Sequence, residues 1–364
     1  MKFAINGFGR IGRTACRVWF EKHADQSELV AINTSGSMEL EGWAYLLKYD
    51  SNYGVWETEV LVEEHQKRDA LTDDDPLLGY VIVGNRRIAI LAQRDPLKLP
   101  WSRLEVETVI ESTGIFITKE KASAHLTAGA KRVVISAPPN GSDVDTFVLG
   151  VNEATGVGIE SNASCTTNCV APITAVIHSI FHVKKAMMCT IHSYTDDQNL
   201  QDNSHKDLRR ARSAGKNIVP TTTGAAKSVA ETIPELKGLF DGISYRVPTS
   251  VGSLAETVFV VERKTTVEEV NSVLEQASQQ PRWRGILAVE HNPIVSSDII
   301  GRSESSIVDL ALTQVVDGDL VKVVAWYDNE WGYCNRLVEQ VVRVGRTLET
   351  NSTPTDPITL SFKR

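Results

Sequence analysis

The sequence KFAINGFGRIGR, residues 2–13, decides the fold of the chain. Its first five residues predict a short buried strand, and the apolar pattern over residues 11–22 predicts a helix. Between the two, Gly7, Gly9 and Gly12 fit the pattern G-x-G-x-x-G. In this setting glycines let the backbone approach a pyrophosphate, and the helix N-terminus adds N–H donors. The stretch therefore predicts a dinucleotide site, and the alternative is a tight turn that binds nothing.

Outward from this stretch, strand-like and helix-like segments alternate through the first half of the chain. Further short apolar strands are predicted at residues 29–33, 81–83, 88–91, 109–111 and 133–136. Strands that alternate with helices are typical of a mostly parallel sheet with helices on both faces. The first half is thus expected to be a Rossmann-type dinucleotide-binding domain over residues 1–164.

The second half has longer strands with fewer helices between them. Strands are predicted at residues 187–192, 242–247, 257–262 and 321–327, and helices at 167–181, 224–233 and 267–277. This pattern predicts an α+β catalytic domain over residues 165–330 with a mostly antiparallel sheet, so the fold class is α/β followed by α+β. Residues 331–348 are expected to form a helix that packs back on the first domain, and residues 349–364 a loose polar tail.

Length, charge and cysteine content exclude several classes of function. A chain of 364 residues has room for two domains. Its 38 basic and 46 acidic residues leave a net charge of −8, which argues against a dedicated nucleic-acid partner. No apolar run is long enough for a membrane span, and no signal peptide is indicated. Five cysteines without a C-x-x-C pair indicate a reducing compartment, so we expect a cytoplasmic protein.

The end of the second strand bears on the choice of cofactor. A dinucleotide fold that uses NAD has an acidic residue about 20 residues after the glycines, which binds the adenosine ribose. Here Thr34 and Ser35 follow the strand, and the first acidic residue is Glu39. Hydroxyl groups can donate to a 2′-phosphate, which a carboxylate would repel. The sequence favours NADP on this ground, with NAD bound through other contacts as the alternative.

A cysteine and a histidine are the candidates for covalent chemistry. Cys165 begins a helical pattern after Ser164, and a helix N-terminus together with a nearby imidazolium favours a thiolate. His192 ends an apolar strand 27 residues later and could act as its general base. His178 and His182 have a spacing that can bind a metal, but no further ligand is near in sequence, so we expect no metal site.

Basic and hydroxyl residues further along the chain predict anion binding. Residues 206–212 are locally basic, and residues 221–225 place hydroxyls and backbone amides at a helix start. Arg246 ends a strand, and arginine suits bidentate contact with phosphate. Each feature also has a plainer interpretation: residues 206–212 as a solvated charged face, residues 221–225 as a helix cap, and Arg246 as a charge at a strand end. Together they predict two phosphate pockets.

The chain resembles phosphorylating glyceraldehyde-3-phosphate dehydrogenase. The resemblance runs in order over residues 2 to 345, and SNASCTTNC is its most specific part. The motifs that carry it are NGFGRIGR (6–13), KYDS (48–51), RDP (94–96), AGAKRVVISAP (128–138), SNASCTTNC (161–169), HKDLRRAR (205–212), TTTGAAK (221–227), RVPT (246–249) and WYDNEWGY (326–333).

The resemblance implies a reaction and assigns roles to residues. Cys165 would attack the aldehyde of glyceraldehyde 3-phosphate with His192 as base, hydride would pass to nicotinamide, and inorganic phosphate would release 1,3-bisphosphoglycerate from the thioester. Thr195, Asp197, Arg210 and Arg246 would surround the substrate phosphate. The attacking phosphate would be bound by Ser164, Thr166, Thr223 and Gly224.

The resemblance also implies cofactor contacts and a homotetramer. Cofactor contacts would come from Gly7, Gly9, Arg10, Ile11, Gly12, Thr34, Ser35, Arg94, Thr113 and Asn329, with Tyr333 near the nicotinamide. A loop over residues 194–212 would reach the cofactor site of a neighbouring copy, and Ser204 on it, like Thr34, resembles relatives that use NADP. The segment 56–84 is longer than in the family and is expected to elaborate the surface of the first domain.

Two other readings stay open at this point. Erythrose-4-phosphate dehydrogenase is a close relative, whose members tend to lack the TTTG sequence that this chain keeps at residues 221–224. A non-catalytic relative that binds only a cofactor is the second reading. The presence of Cys165, His192, Arg210 and Arg246 together argues against it.

Overall fold

Two β-sheets, each covered by helices, organise the chain. The computed structural model describes residues 1–154 and 158–349. Within these residues the helices are α1 (Arg10–Lys22), α2 (Leu40–Lys48), α3 (Lys119–Thr127), α4 (Cys165–Phe181), α5 (Ala225–Thr232), α6 (Val267–Ser278) and α7 (Trp331–Glu349). None of the helices in this part of the chain is both long enough and apolar enough to span a bilayer.

The first sheet carries the dinucleotide-binding half. Its strands are β1 (Lys2–Asn6), β2 (Glu28–Asn33), β5 (Val60–Glu64), β6 (Leu77–Val83), β7 (Arg86–Leu91), β8 (Thr108–Glu111), β9 (Arg132–Ile135), β10 (Asp145–Thr146) and β11 (Ile159–Ser161), while β3 (Tyr49–Asp50) and β4 (Gly54–Val55) form a separate hairpin. The order across the sheet is β10-β11-β9-β8-β1-β2-β7-β6-β5. All neighbours run parallel from β10 to β7, and β6 and β5 add an antiparallel edge.

The second sheet organises the second half of the chain. Its strands are β12 (Val183–Ser193), β13 (Val219–Thr221), β14 (Phe240–Val247), β15 (Ser253–Val261), β16 (Leu287–Glu290), β17 (Ser306–Asp309), β18 (Gln314–Val316) and β19 (Leu320–Tyr327). The order is β13-β14-β12-β15-β19-β17-β16, with β18 also paired to β19. Pairs β12–β14 and β16–β17 are parallel and the other pairs are antiparallel, so the sheet is rich in antiparallel pairing.

Each sheet has its own hydrophobic core, and α7 belongs to the first. Leu337, Val338, Val341 and Val342 of α7 are buried with Ile5 of β1 and the rest of that core. The second core is built on α4, whose Val170, Val176 and Ile177 are fully buried. Cys165 packs against both cores. The chain therefore places its candidate nucleophile where the two halves meet.

The predicted fold class is confirmed, with differences at the first sheet's edge. The long segment 56–84 is not only a surface elaboration, because it supplies β5 and lengthens β6 at the sheet edge. The sequence does not reveal β5 because the strand has no alternating pattern: Leu61, Val62 and both of its glutamates are exposed. Most of the predicted polar tail, from residue 350 onward, lies outside the described residues.

Candidate active site

The first turn of α4 holds Cys165 at the boundary between the two halves. The Ser164 side chain caps the helix by accepting a hydrogen bond from Thr167 N at 3.0 Å. Ala163, just before the cap, has a φ of +57°, a conformation that non-glycine residues rarely adopt. The Asn168 amide donates back to Asn162 O at 2.8 Å and so fastens this turn. The bend and the cap together aim Cys165 into the space between the sheets.

The second sheet brings His192 to the same place. Residues His192 and Arg246 are register partners at the carboxyl ends of the parallel strands β12 and β14. His192 Nε2 lies 3.3 Å from Cys165 Sγ. On the other side of the ring, Nδ1 lies 2.6 Å from Ser193 O and 2.7 Å from Arg246 Nη1. A sulfur nucleophile, an imidazole and a cation are thus in direct contact.

Burial controls the ionisation of the two reactive groups. Burial raises the pKa of the Cys165 thiol, against the opposing effect of the Arg246 charge and of the Thr166 hydrogen bonds. Burial and the Arg246 charge lower the pKa of His192 to about 3. The sequence predicts a thiolate beside an imidazolium, whereas here burial favours the neutral forms. Transfer of the proton from Sγ to Nε2 would create a thiolate and an imidazolium 3.3 Å apart. Their attraction is about 5 kcal/mol for an effective dielectric of about 20, which offsets much of the free-energy cost of burying the two charges.

Several of the residues predicted to bind the substrate phosphate lie together near the ring of His192. The Arg210 guanidinium pairs with the Asp197 carboxylate, which also accepts a hydrogen bond from the Thr195 hydroxyl. Arg210 Nε donates to Thr221 Oγ1 at 2.9 Å. Burial opposes ionisation of Asp197, but Thr195, Arg210 and Arg246 lower its pKa. These contacts join one arginine, one carboxylate and two hydroxyls as a connected group, and Arg246 acts on it through its charge.

Arg246 has an unused donor in this group. Its Nε atom is buried and has no hydrogen-bond partner among the residues that the structure describes. Buried polar atoms are nearly always paired in folded proteins, so this guanidinium nitrogen is available to donate to an anion. This observation fits a phosphate between Arg246 and its neighbours.

Thr223 and Gly224 lie at the start of α5. The Thr223 hydroxyl accepts from Ala225 N at 3.2 Å, and Gly224 is the residue that precedes the helix. Neither residue is hydrogen-bonded to Cys165 in the part of the chain that the structure describes, so the prediction of an anion site there depends on the helix start and on the packing of α5 against α4. Thr166, also predicted for this site, is buried and bonds through its hydroxyl to Tyr327 at 2.9 Å.

The glycine motif shapes a cavity of about 640 Å³ beside the first sheet. Gly7 has a φ of +99°, and a Cβ at Gly12 would lie 2.0 Å from Gly7 O. A Cβ at Gly9 would meet nothing within 4 Å, because Gly9 borders the open cavity. Gly7 and Gly12 therefore make the turn and the close contact, and Gly9 leaves room for a ligand at the N-terminus of α1. This arrangement fits a dinucleotide pyrophosphate.

Comparison with known proteins agrees with this geometry. Residues 1–119 match the family model of the glyceraldehyde 3-phosphate dehydrogenase NAD binding domain, and residues 164–329 match that of its C-terminal domain. A chloroplastic glyceraldehyde-3-phosphate dehydrogenase A of Chlamydomonas reinhardtii is 47% identical over 93% of this chain and 87% of its own length. Glyceraldehyde-3-phosphate dehydrogenase of Zymomonas mobilis is 47% identical over 96% of this chain and 99% of its own. A relative from Nostoc, glyceraldehyde-3-phosphate dehydrogenase 2, is 48% identical over 93% of this chain and 97% of its own.

The chain belongs to the glyceraldehyde-3-phosphate dehydrogenase family. The phosphorylating family named from the sequence is confirmed, and so is a nicotinamide dinucleotide as the class of cofactor. The glycine turn and its cavity fit such a cofactor, because Gly12 allows the close turn and Gly9 leaves the cavity open.

The ribose end of the cofactor cavity differs in detail from the sequence expectation. Thr34 is buried, and its hydroxyl donates to Leu91 O at 2.9 Å rather than pointing its proton into the cavity. Ser35 is exposed and lines the cavity with Arg94, whose side chain makes no hydrogen bond or ion pair with the described residues. The Ser35 hydroxyl donates to Ser37 Oγ at 2.9 Å, so at this end of the cavity it is the Arg94 guanidinium that keeps donors for a ligand. Thr113 also lines the cavity, with its N–H bonded to the Glu111 carboxylate at 2.8 Å.

Arg10 of the dehydrogenase has a role that the motif did not predict. Its side chain pairs with Asp50 of the β3–β4 hairpin and with Glu330 before α7. The backbone amides of Arg10 and Ile11, which open α1, stay at the helix start where a pyrophosphate binds. Arg10 therefore links α1 to the segment that follows β19.

That segment carries two further predicted residues. Asn329 Oδ1 accepts from Gly252 N at 3.1 Å and from Ser253 Oγ at 2.9 Å, which fixes the orientation of its amide. The Tyr333 hydroxyl donates to Ala163 O at 3.2 Å, next to the turn that carries Cys165. Asn329 and Tyr333 are thereby placed on the nucleophile's side of the site.

Tyr327 is a site residue that the sequence analysis missed. Its hydroxyl lies 2.9 Å from Thr166 Oγ1 and 2.8 Å from Thr190 Oγ1, and its ring meets that of His192 edge-on at 5.9 Å. The residue lies within the motif WYDNEWGY, but in the sequence it looks like any aromatic residue of a strand. Its link to α4 depends on β19 crossing beneath that helix, which no local pattern reveals.

Two other predictions concern Ser204 and the pair His178 and His182. Ser204 is exposed on its loop and is not among the residues that line the cofactor cavity of its own chain. The rings of His178 and His182 lie 6.2 Å apart, and His178 Nδ1 accepts from Val183 N at 3.1 Å. Within the described residues no cluster of three or more potential metal ligands occurs.

Proposed function

We propose that this chain oxidises D-glyceraldehyde 3-phosphate to 1,3-bisphosphoglycerate through a thioester on Cys165, with NADP favoured over NAD. The contact of 3.3 Å between Cys165 Sγ and His192 Nε2 carries the proposal. Family membership supports the reaction class, and the residue roles follow from this geometry.

His192 acts first as a general base. When Nδ1–H donates to Ser193 O, Nε2 is unprotonated and accepts the thiol proton as Sγ attacks the aldehyde carbon. Arg246 competes for the same Nδ1 at 2.7 Å. A substrate phosphate that draws Arg246 toward itself therefore frees Nδ1 and leaves His192 in the tautomer that can take the proton.

Arg246 and Arg210 hold the phosphate of the substrate, with Thr195 and Asp197 completing the group. Asp197 is a carboxylate and does not bind phosphate itself, so we assign it to orienting Arg210. Ser164 and Thr166 at the start of α4, with Thr223 and Gly224 at the start of α5, receive the attacking inorganic phosphate.

The first domain binds the cofactor, which supplies the hydride acceptor when bound. Gly7, Gly9 and Gly12 with the N-terminus of α1 would hold its pyrophosphate, and Asn329 and Tyr333 would contact its nicotinamide end. Ser35 and Arg94 face the ribose end without a carboxylate between them, which supports NADP. Release of the acyl group to phosphate rather than water keeps the energy of oxidation in the product.

We infer a homotetramer, on the resemblance to the family, in which the loop with Ser204 reaches a neighbour's cofactor cavity. We place the reaction in the cytoplasm, and the relatives named as chloroplastic make a plastid stroma the alternative. Pathway direction follows the compartment, toward sugar synthesis in a plastid.

Steady-state kinetics with both cofactors, with and without inorganic phosphate, tests the proposal. We expect reduction of NADP that requires phosphate and gives an acyl phosphate, and little activity with erythrose 4-phosphate. Cys165→Ser should abolish oxidation and retain cofactor binding, measured by quenching of tryptophan fluorescence. Phosphate-independent turnover, or substantial activity in Cys165→Ser, would overturn the assignment.

A further inference from the structure

The segment between β5 and β6, residues 65–75, forms an ordered arm beside the cofactor cavity. At its base His65 N and Gln66 N both donate to Leu78 O, at 3.0 and 3.2 Å. The Gln66 side chain donates to Asp75 O at 3.1 Å and closes the arm on itself. Leu71 of the arm packs against the first hydrophobic core. The arm is therefore part of the domain and not a free loop.

One side of the arm contacts residues 34–37, the ribose loop that follows β2. Arg68 Nη1 donates to Ser37 O at 3.2 Å. The Ser37 hydroxyl lies 2.9 Å from that of Ser35, which lines the cofactor cavity. Ser37 thus connects Arg68 to Ser35, whose side chain faces the cavity.

Another part of the arm contacts the neighbouring strand end at the cavity. Asp73 accepts from Gln93 Nε2 at 3.1 Å and from Lys98 Nζ at 2.5 Å. Gln93 and Arg94 follow β7, which pairs with β2, and both line the cavity. The arm therefore contacts both strand ends that form the ribose end.

The arm also places charged groups near this end of the cavity. The Glu39 carboxylate, which is the first acidic group after β2, accepts from Arg68 N at 3.0 Å and is held on the arm. The Arg68 side chain is 45% exposed, and its nearest carboxylate, Asp69, lies 3.6 Å away and is 90% exposed. Such an exposed pair is weak, so the guanidinium keeps donors for another anion.

We propose that the arm is a cofactor-specificity element and that Arg68 joins Arg94 in binding the 2′-phosphate of NADP. A planar guanidinium suits phosphate, and NAD carries a hydroxyl at this position. The inference rests on the proposed use of NADP. It adds a residue from a segment that is longer than in the family.

Binding of adenosine 2′,5′-bisphosphate and of adenosine 5′-monophosphate, measured by calorimetry on the full-length protein, tests the role of Arg68. Because one charge-assisted contact is lost, Arg68→Ala should weaken binding of the bisphosphate by about tenfold and leave the monophosphate within about twofold. In turnover, the KM for NADP should rise by a similar factor while the KM for NAD stays unchanged.

Three further variants control the measurement. Lys67→Ala removes a neighbouring cation that pairs with Glu64, and should leave both affinities unchanged. Arg68→Lys keeps the charge without the planar fork and should recover part of the bisphosphate affinity. Arg94→Ala, inside the cavity, should lose at least as much as Arg68→Ala.

The outcomes separate this proposal from the choice of cofactor. If Arg68→Ala weakens both nucleotides equally, or neither, the arm has no part in specificity and the proposal is overturned while NADP use stands. If the wild-type protein binds the bisphosphate no better than the monophosphate, the preference for NADP fails and this inference fails with it.

Discussion

Arg246 contacts the ring of His192 on the side opposite to Cys165, and it acts on both through its charge. The same cation lowers the pKa of the thiol and of the imidazole. Before a phosphate binds, Arg246 keeps the imidazole neutral, and its contact with Nδ1 favours the tautomer that carries the proton on Nε2. A substrate phosphate that neutralises the guanidinium removes this effect at the moment when an imidazolium must form.

Burial of neutral His192 makes stability depend on pH. The pKa of His192 is lowered to about 3 in the folded protein, from an ordinary value of 6.5. Unfolding therefore takes up a proton between these values, and the stability present above pH 6.5 is lost as pH falls toward 3. From pH 7 to pH 5 the wild type should lose about 2 kcal/mol more than His192→Asn, measured by urea unfolding.

Arg246→Gln is the matching variant for this measurement. Removing the cation raises the pKa of His192, so the extra loss between pH 7 and pH 5 should shrink. Equal pH slopes for the wild type and His192→Asn would show that the ring is not held neutral.

Thr34 tests cofactor choice at the level of one side chain. Thr34→Asp places a carboxylate at the end of β2, where it would repel a 2′-phosphate and bind a ribose hydroxyl. The ratio of kcat/KM for NADP to that for NAD should fall by at least about tenfold. Thr34→Val is the control, because it removes the hydrogen bond to Leu91 O without adding charge and should keep the ratio of kcat/KM values. A ratio that does not change in Thr34→Asp contradicts the preference for NADP.

At the scale of elements, the turn between β1 and α1 separates folding from binding. Gly9→Ala adds a methyl group to open space, since nothing lies within 4 Å of the new atom. It should keep the melting temperature and lose cofactor affinity by about tenfold or more, because the methyl occupies the place of the pyrophosphate.

Gly12→Ala is the contrasting variant. Its Cβ would lie 2.0 Å from Gly7 O, so α1 must move away from the turn. Both the melting temperature and the affinity should fall, as followed by calorimetric scanning and fluorescence titration. If both variants lose stability equally, Gly9 does not border an open site.

The elements also show how far the sequence alone can be read. The strands and helices around Gly9 and Cys165 follow local apolar patterns and turn residues, so the sequence predicts them well. Strand β5 has no apolar face, and its pairing depends on β6. Tyr327, the carboxylates that pair with Arg10, and the bond from Thr34 to Leu91 depend on contacts between distant segments. No local pattern encodes such contacts.

At the scale of the whole molecule, the helices that the structure describes leave one face of the second sheet uncovered. Helices α4, α5 and α6 lie on the other face, where Phe259 and Val261 are buried. On the uncovered face Met187 is 65% exposed and Ile243 39% exposed, around a cavity of about 340 Å³. Apolar side chains grouped in this way on a sheet are typical of a protein interface.

The proposed tetramer can be tested on this face. Met187→Glu puts a charge into it, and we expect the protein to dissociate from four copies into smaller species, measured by light scattering after gel filtration. If the loop with Ser204 reaches a neighbour, the KM for NADP should rise as the tetramer dissociates. Leu97→Glu, exposed on the first domain, should change neither; a wild type that is already monomeric contradicts the homotetramer.

Helix α7 gives the molecule a particular order of assembly during synthesis. Its apolar residues complete the core of the first domain, although the ribosome makes them after the whole second domain. Until α7 is synthesised, part of the apolar surface of the first sheet and its glycine turn stays exposed to solvent. The nascent chain thus acquires a finished nucleotide-binding half only when its last helix emerges, and both halves mature together.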